Sequence, residues 1–168
     1  MLSKNDLLDA MLREIAITKH LMTKVEAGGE SYRPTEGQRS VLELVRYLAF
    51  CGMGGTVAMA DGNWEGYKAA SDAVADATWA ELPTHLDNQA AALTAYYGEL
   101  SDVDFASKEA TTPLGDTMTL GRALLELPVK WMTAYRMQLY LYLKFAGNTE
   151  IWTPNCWGGV DMERPSPA

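Results

Sequence analysis

The chain has 168 residues, enough to bury a sizeable core as one domain without help. Hydrophobic residues make up 48% of it and charged residues 21%, far from the disordered regime. The formal charge of −8, with no Lys/Arg cluster along the chain, argues against nucleic acid as a partner.

The opening segment "MLSKNDLLDAMLREIA" intersperses charges among its apolar residues and carries no secretory signal pattern. Ser3 and Asp6 form a Ser-x-x-Asp start signal, in which the serine oxygen satisfies early backbone N–H groups. Leu8, Leu12, Ile15, Met22 and Val25, with Met11 beside them, recur at helical spacing until the glycines of "AGGE" stop the run. The spacing predicts a first helix over residues 5–27. Thr35 and Gln38 repeat the capping-box pattern ahead of a second helix, whose buried face is Val41, Leu44, Leu48 and Cys51. That helix is expected to run on through "GMGGTVAMA", where the glycines are a local weakness. Gly52 and Thr56, four apart, would let a partner helix approach closely. The longest uncharged run, between Arg46 and Asp61, is glycine-rich and shorter than the roughly 20 apolar residues of a membrane span.

"DGNWEGY" reads as a loop and "SDAVADATWAEL" as a helical piece ahead of Pro83. A third long helix follows in "LPTHLDNQAAALTAYYGEL", with Leu86, Ala90, Leu93 and Tyr97 on one face. "SDVDFASKEATTPLGDTMT" is polar and rich in Pro, Gly and Thr, and is expected to be irregular. Thr119 can cap a last helix over residues 120–146, bent or loosened at Pro128, which has no N–H to donate. Four substantial helices and no convincing alternating strand predict an all-α bundle with long irregular loops and a kinked last helix. The segment "IWTPNCWGGVD", with Trp152 and Trp157, is expected to fold back over the bundle. Residues 148–168 would then be a C-terminal extension of a single domain spanning 1–168.

Few motifs carry chemistry. "CGMGG" has no Lys-Ser/Thr after it and lies in a helical context, so it reads as helix packing rather than a phosphate cradle. Asp61, Asn63, Glu65, Gly66 and Asp72 fall on positions of a calcium-loop template, but Glu65 is too long, Asp72 too short and Lys68 misplaced, which favours a chance match. His20 lies opposite the apolar stripe of the first helix and is expected to face solvent or a partner subunit; His85 stands beside Pro83 at a helix start. Neither has a spacing that joins it to Cys51 or Cys156 in a nucleophilic site. Asp102, Asp104 and Glu109 read as a solvated loop. The cysteines stand in no metal spacing, and two free thiols in an intracellular, cytoplasmic protein is a simpler reading than a lone disulfide.

"YRMQLYLYLKFAG", residues 135–147, resembles the closing helix of the DinB-like four-helix bundles, in which His-x-x-x-His-Arg-x-Gln leads into an amphipathic run ending in glycine. Arg136 and Gln138 match the Arg and Gln of that pattern. "RPTEGQRSVLELVRYLAF", residues 33–50, is similar to the family's second helix, where Arg-His-Leu carries another histidine. The order of elements also agrees. The resemblance implies a divalent metal, often nickel or zinc, held by one histidine of helix 2 and two of helix 4. The matching positions here are Tyr47, Trp131 and Tyr135, and a chain with two histidines cannot supply three. Indole does not ligate, and a neutral phenol is a poor ligand for these ions.

The sequence therefore favours a binding or structural module over an enzyme, with no metal and no cofactor. Tyr47, Trp131 and Tyr135 would meet at the family's metal position, with Gln138 one turn below Tyr135 as partner for a phenol hydroxyl. They would either fill it as ordinary core or line a pocket for a small apolar ligand. The alternative is a transferase or isomerase acting on small molecules or thiols without the family metal. The last helix is apolar on almost every face, with Met137, Tyr140, Leu141 and Tyr142 spread around it, which predicts a homodimer contact there or on the first helix.

Overall fold

The computed structural model describes residues 2–62 and 64–165. In chain order the helices are α1 (Lys4–Met22), α2 (Val41–Leu48), α3 (Cys51–Asp61), α4 (Glu65–Asp72), α5 (Leu82–Glu99), α6 (Asp102–Ser107), α7 (Leu120–Leu124), α8 (Lys130–Phe145) and α9 (Thr153–Trp157). A two-stranded antiparallel hairpin, β1 (Glu109–Thr111) and β2 (Thr117–Thr119), lies between α6 and α7. Helix α1 packs on α5 and α8, and α8 also packs on α2. The α2–α3 pair, α5 and the α7–α8 rod thus complete an all-α four-helix bundle with α1, as the periodicity predicts.

The start of α1 is closed as expected: the Ser3 hydroxyl accepts from the Asp6 N–H at 3.2 Å, and the Asp6 carboxylate accepts from the Ser3 N–H at 2.8 Å. The helix stops at Met22 rather than residue 27, because Thr23 turns both its N–H and its hydroxyl back onto the His20 carbonyl oxygen. Leu7, Met11, Ile15, Thr18 and Met22 form the buried stripe, while Leu8 and Leu12 are only half-buried. Ile17 and Leu21 are buried as well, since α9 and the segment after it cover that side, with Gly159 against the Ile17 backbone.

The second helix starts five positions later than Thr35. Ser40 is the N-cap, its hydroxyl accepting from the Glu43 N–H and its N–H donating to the Glu43 carboxylate at 2.7 Å. Thr35 and Gln38 instead close a separate turn, in which the Gln38 N–H donates to the Thr35 carbonyl oxygen. Both pairs fit the capping template, but only the second is followed immediately by the apolar run.

The helix does not continue through the glycines unbroken. Between α2 and α3 the axis bends by 43°, at Ala49 and Phe50. An unbroken helix would join the Gly52 N–H to the Leu48 carbonyl. Here the Gln89 amide of α5 enters the gap: its Oε1 accepts from the N–H groups of Gly52 (2.9 Å) and Met53 (3.2 Å), and its Nε2 donates to the Leu48 carbonyl oxygen at 2.9 Å. Insertion of a side chain into the ladder is one of the few causes of a sharp bend. Gly52 lets Met132 and the Gln89 amide close in, since a Cβ would lie 2.6 Å from Met132 Sδ and 3.1 Å from Gln89 Oε1 and would push them aside. Among the described residues no single helix is long and apolar enough to cross a membrane; only the bent α2–α3 pair reaches the length, and most of its residues are buried.

Three further segments depart from expectation. Helix α4 occupies part of the stretch read as a loop, and "SDAVADATWAEL" forms the end of that helix followed by turns rather than a helix of its own. The connection read as irregular is ordered as α6, capped by Ser101, and the hairpin, whose turn uses Gly115 at φ 90°. Its β-branched threonines face outward on both strands, a pattern that overall polarity conceals. The last helix is interrupted as Pro128 predicts: Leu125–Val129 forms a π turn joining α7 to α8. Thr119 stands at the N-cap of α7 with extended dihedrals, but its side chain makes no capping bond.

Gln89→Leu should remove the partners of three buried backbone groups at once. At about 1–3 kcal/mol for each stranded group, we expect a loss of about 3 kcal/mol or more in urea unfolding. A loss under about 1 kcal/mol, the scale of an ordinary exposed hydrogen bond, would contradict this role.

Candidate functional site

Of the residues assigned to the candidate pocket, Tyr47 at the end of α2 and Tyr135 in α8 meet directly, with ring centroids 4.5 Å apart and planes tilted by 59°. Trp131, one turn before Tyr135, stands apart from this pair. Its rings meet Tyr67 (6.0 Å) and Trp64 (6.4 Å), and Tyr67 links it to Tyr47, through Phe50 and through a hydrogen bond between the two hydroxyls. Gln138 does not reach either phenol of the pair; its Nε2 donates to the Tyr142 hydroxyl. A helical step of three from Tyr135 turns Gln138 toward the next turn of its own helix, where Tyr142 lies at i+4.

The cluster is larger than the sequence suggested, since Phe50, Trp64 and Tyr67 complete it and Arg39 covers it. The bend after Leu48 places Phe50 against Tyr47 (5.3 Å), and α4 brings Tyr67 edge-on to Phe50 (5.2 Å). The glycines of α3 make room: a Cβ on Gly55 would lie 3.0 Å from the Trp131 ring, and one on Gly54 3.2 Å from Tyr67. "GMGG" is therefore a packing strip, as its helical context implies. Arg39 holds its guanidinium 4.6 Å from the Tyr47 ring centre and 5.4 Å from that of Tyr135. A groove of about 520 Å³ opens beside the rings, lined by Arg39, Arg46, Tyr47, Phe50, Tyr67 and Ser71.

Burial dominates the electrostatics. It raises the Tyr47 phenol far above its ordinary value, with further upward pushes from the Cys51 thiol and the Tyr67 hydroxyl. Burial likewise raises Tyr67 and drives up the fully buried Cys51 thiol against the pull of Arg39. At neutral pH these groups are a neutral phenol pair and a protonated thiol. None is a thiolate nucleophile or a phenolate ligand. Imidazole nitrogens bind zinc at about 2.0–2.1 Å, and the residues at these three positions offer no such donor. The side chains present do not fit the metal that the resemblance implies.

Arg136, the arginine of the family pattern, points away from the cluster. It is fully buried and holds α8 to α1 through Glu14, its Nε donating at 2.7 Å and Nη2 at 3.1 Å to the two carboxylate oxygens. Thr133 donates to the same carboxylate at 3.0 Å. The third arm of Arg136 reaches the C-terminal segment, with Nη1 3.3 Å from Cys156 Sγ and the cation 4.8 Å from the Trp157 ring centre. Both cysteines are free and buried.

The calcium template is not adopted. Glu65, Gly66 and Asp72 lie in α4, Lys68 pairs with Asp72, and Asn63 lies outside the described residues. Among the described residues, no three His, Cys, Asp or Glu side chains converge as a metal site.

No protein-family model and no curated protein sequence matches this chain. Among solved structures it is similar to a DinB-like protein of Bacillus subtilis, YjoA, with a TM-score of 0.66 and 22% identity over 88% of this chain and 95% of that one. The fold is DinB-like, as the two helix motifs imply. At that identity the likeness extends to the fold alone.

His20 is largely covered rather than open to solvent as the helical wheel suggests, though it still lines a surface pocket beside Lys19 and Trp79. The C-terminal segment covers it, leaving the side chain 14% exposed. Asn155 Oδ1 accepts from the Trp152 N–H, which turns its Nδ2 toward His20 Nε2 (3.0 Å) and Asp161 (2.8 Å). The imidazole therefore accepts at Nε2 and is neutral. Burial lowers its pKa below the ordinary 6.5, outweighing the upward pull of Asp161 3.7 Å away. The unfolded chain then takes up this proton at higher pH than the folded one, so the stability from His20 is full above about 6.5 and declines as pH falls through it. Asp161 keeps its charge in this window, because the hydrogen bond from Lys24 holds its carboxyl below the usual range. We expect urea stability to fall between about pH 7 and about pH 5, and His20→Gln to flatten that slope; an unchanged slope in the variant would contradict the assignment.

Proposed function

We propose that this chain is a DinB-fold module without the family's divalent-metal site, acting by binding or assembly rather than catalysis. The observation that carries this reading is the Tyr47–Tyr135 contact at 4.5 Å. Two phenol rings in van der Waals contact leave no imidazole and no room for an ion between them. The raised Tyr47 and Cys51 support the non-catalytic part of this reading, because neither is a nucleophile primed by a lowered value. The groove beside the rings is the binding surface we assign to it.

We further infer a cytoplasmic homodimer. Two free thiols fit a reducing compartment. Leu141 and Phe145, 41% and 66% exposed on the outer face of α8, supply the apolar patch on which a second copy can pack.

Elemental analysis of protein purified without chelator should find substoichiometric zinc and nickel, with a melting temperature that EDTA leaves unchanged. One tightly bound ion per chain would overturn the reading. Light scattering should give twice the chain mass at micromolar concentration, and Phe145→Glu should shift it to the monomer. A monomeric wild type would sink the dimer.

A further inference from the structure

The groove between α2 and α4 joins an aromatic floor to a cation with no anion to answer it. Tyr47, Phe50 and Tyr67 form the floor, and Ser71 stands on the α4 side. Arg39 lies on the rim with its guanidinium carbon 4.6 Å from the Tyr47 ring centre and 5.4 Å from that of Tyr135. A guanidinium held over rings rather than bonded to an oxygen keeps its N–H donors available to a ligand. Among the described residues Arg39 makes no hydrogen bond and no ion pair.

The one carboxylate on the groove, Glu43, is already engaged. It accepts from the Ser40 N–H at 2.7 Å and from Arg33 at 3.2 Å, and those contacts hold its carboxyl below the usual range. Arg46 adds a second positive charge on the same side, its Nε anchored to the Ala77 carbonyl oxygen at 2.8 Å. Two arginines thus face a groove in a chain with 22 acidic and 14 basic residues. The local field favours an anion where the net charge does not.

We propose that this groove binds a small planar aromatic carboxylate. The ring lies on the Phe50–Tyr67 floor, where offset or edge contacts between rings are favourable. The carboxylate takes the fork of Arg39, whose parallel N–H pair matches a planar two-oxygen acceptor. One free fork suits a single charge better than a phosphate dianion. The volume of about 520 Å³ admits a bicyclic acid with water at its rim. This inference rests on the binding-module reading above and gives it a ligand class.

The test is isothermal titration of the full chain with naphthoate, beside naphthalenemethanol as the uncharged analogue. We expect one naphthoate per chain and binding of the alcohol weaker by about tenfold or more, the scale of a hydrogen bond to a charged group. Arg39→Gln should weaken naphthoate by a similar factor with unchanged circular dichroism and melting temperature. Ser71→Phe, which leaves Arg39 in place and fills the groove, should abolish binding. Absence of naphthoate binding, equal binding of the alcohol, or full binding by either variant would overturn the ligand class. Failure of the module reading is separate: it would appear as a stoichiometric metal in the purified protein, whatever naphthoate does.

Discussion

The Gln89 amide is the constraint on which the site depends. It substitutes for the broken α2–α3 ladder, taking two N–H groups and one carbonyl that would otherwise be buried without partners. Because those groups are satisfied from α5, the chain can turn by 43° at low cost. The turn aims Phe50 at Tyr47, and it sets Gly52 and Gly55 of α3 against Met132 and Trp131 of α8, and Gly54 against Tyr67 of α4. One side chain therefore fixes the relative placement of four helices.

Around that bend Arg136 serves a different purpose from Tyr47, Trp131 and Tyr135. Arg136 is a tie between α8, α1 and the C-terminal segment, fully buried and answered by Glu14. A buried arginine left without its carboxylate is strongly destabilising, so the Arg136–Glu14 pair is a requirement of the fold. Tyr47 and Tyr135 meet under Arg39, and Trp131 joins the same aromatic cluster through Tyr67. The fold and the site are thus separable: the first is held by Gln89 and Arg136, the second is free to change chemistry.

Much of the bundle was legible from local signals. The Ser3–Asp6 cap, the apolar periodicity of α5, the glycines as a packing strip and the break at Pro128 each follow from short-range stereochemistry. What escaped depends on partners distant in sequence. Gln89 reads as an ordinary polar residue on a helix until α3 is placed beside it. Arg39 and Glu14 show no local signal of what they face, and Tyr67 belongs to a helix hidden in a stretch rich in Asp, Gly and Asn. Competing templates caused the other misreadings, as when Thr35 and Gln38 matched the same capping box that Ser40 and Glu43 form. The helical wheel failed for His20 because it counts only one helix, and the residues that cover this histidine come from the far end of the chain.

The central claim is that Tyr47 and Tyr135 pack on each other and fill the space between α2 and α8. A double-mutant cycle on Tyr47→Leu and Tyr135→Leu, read by urea unfolding in the presence of EDTA, tests it most directly. Rings in contact should couple by about 0.5–1.5 kcal/mol beyond their separate losses. Strictly additive losses would mean that the two rings do not pack on each other, and the account would be wrong.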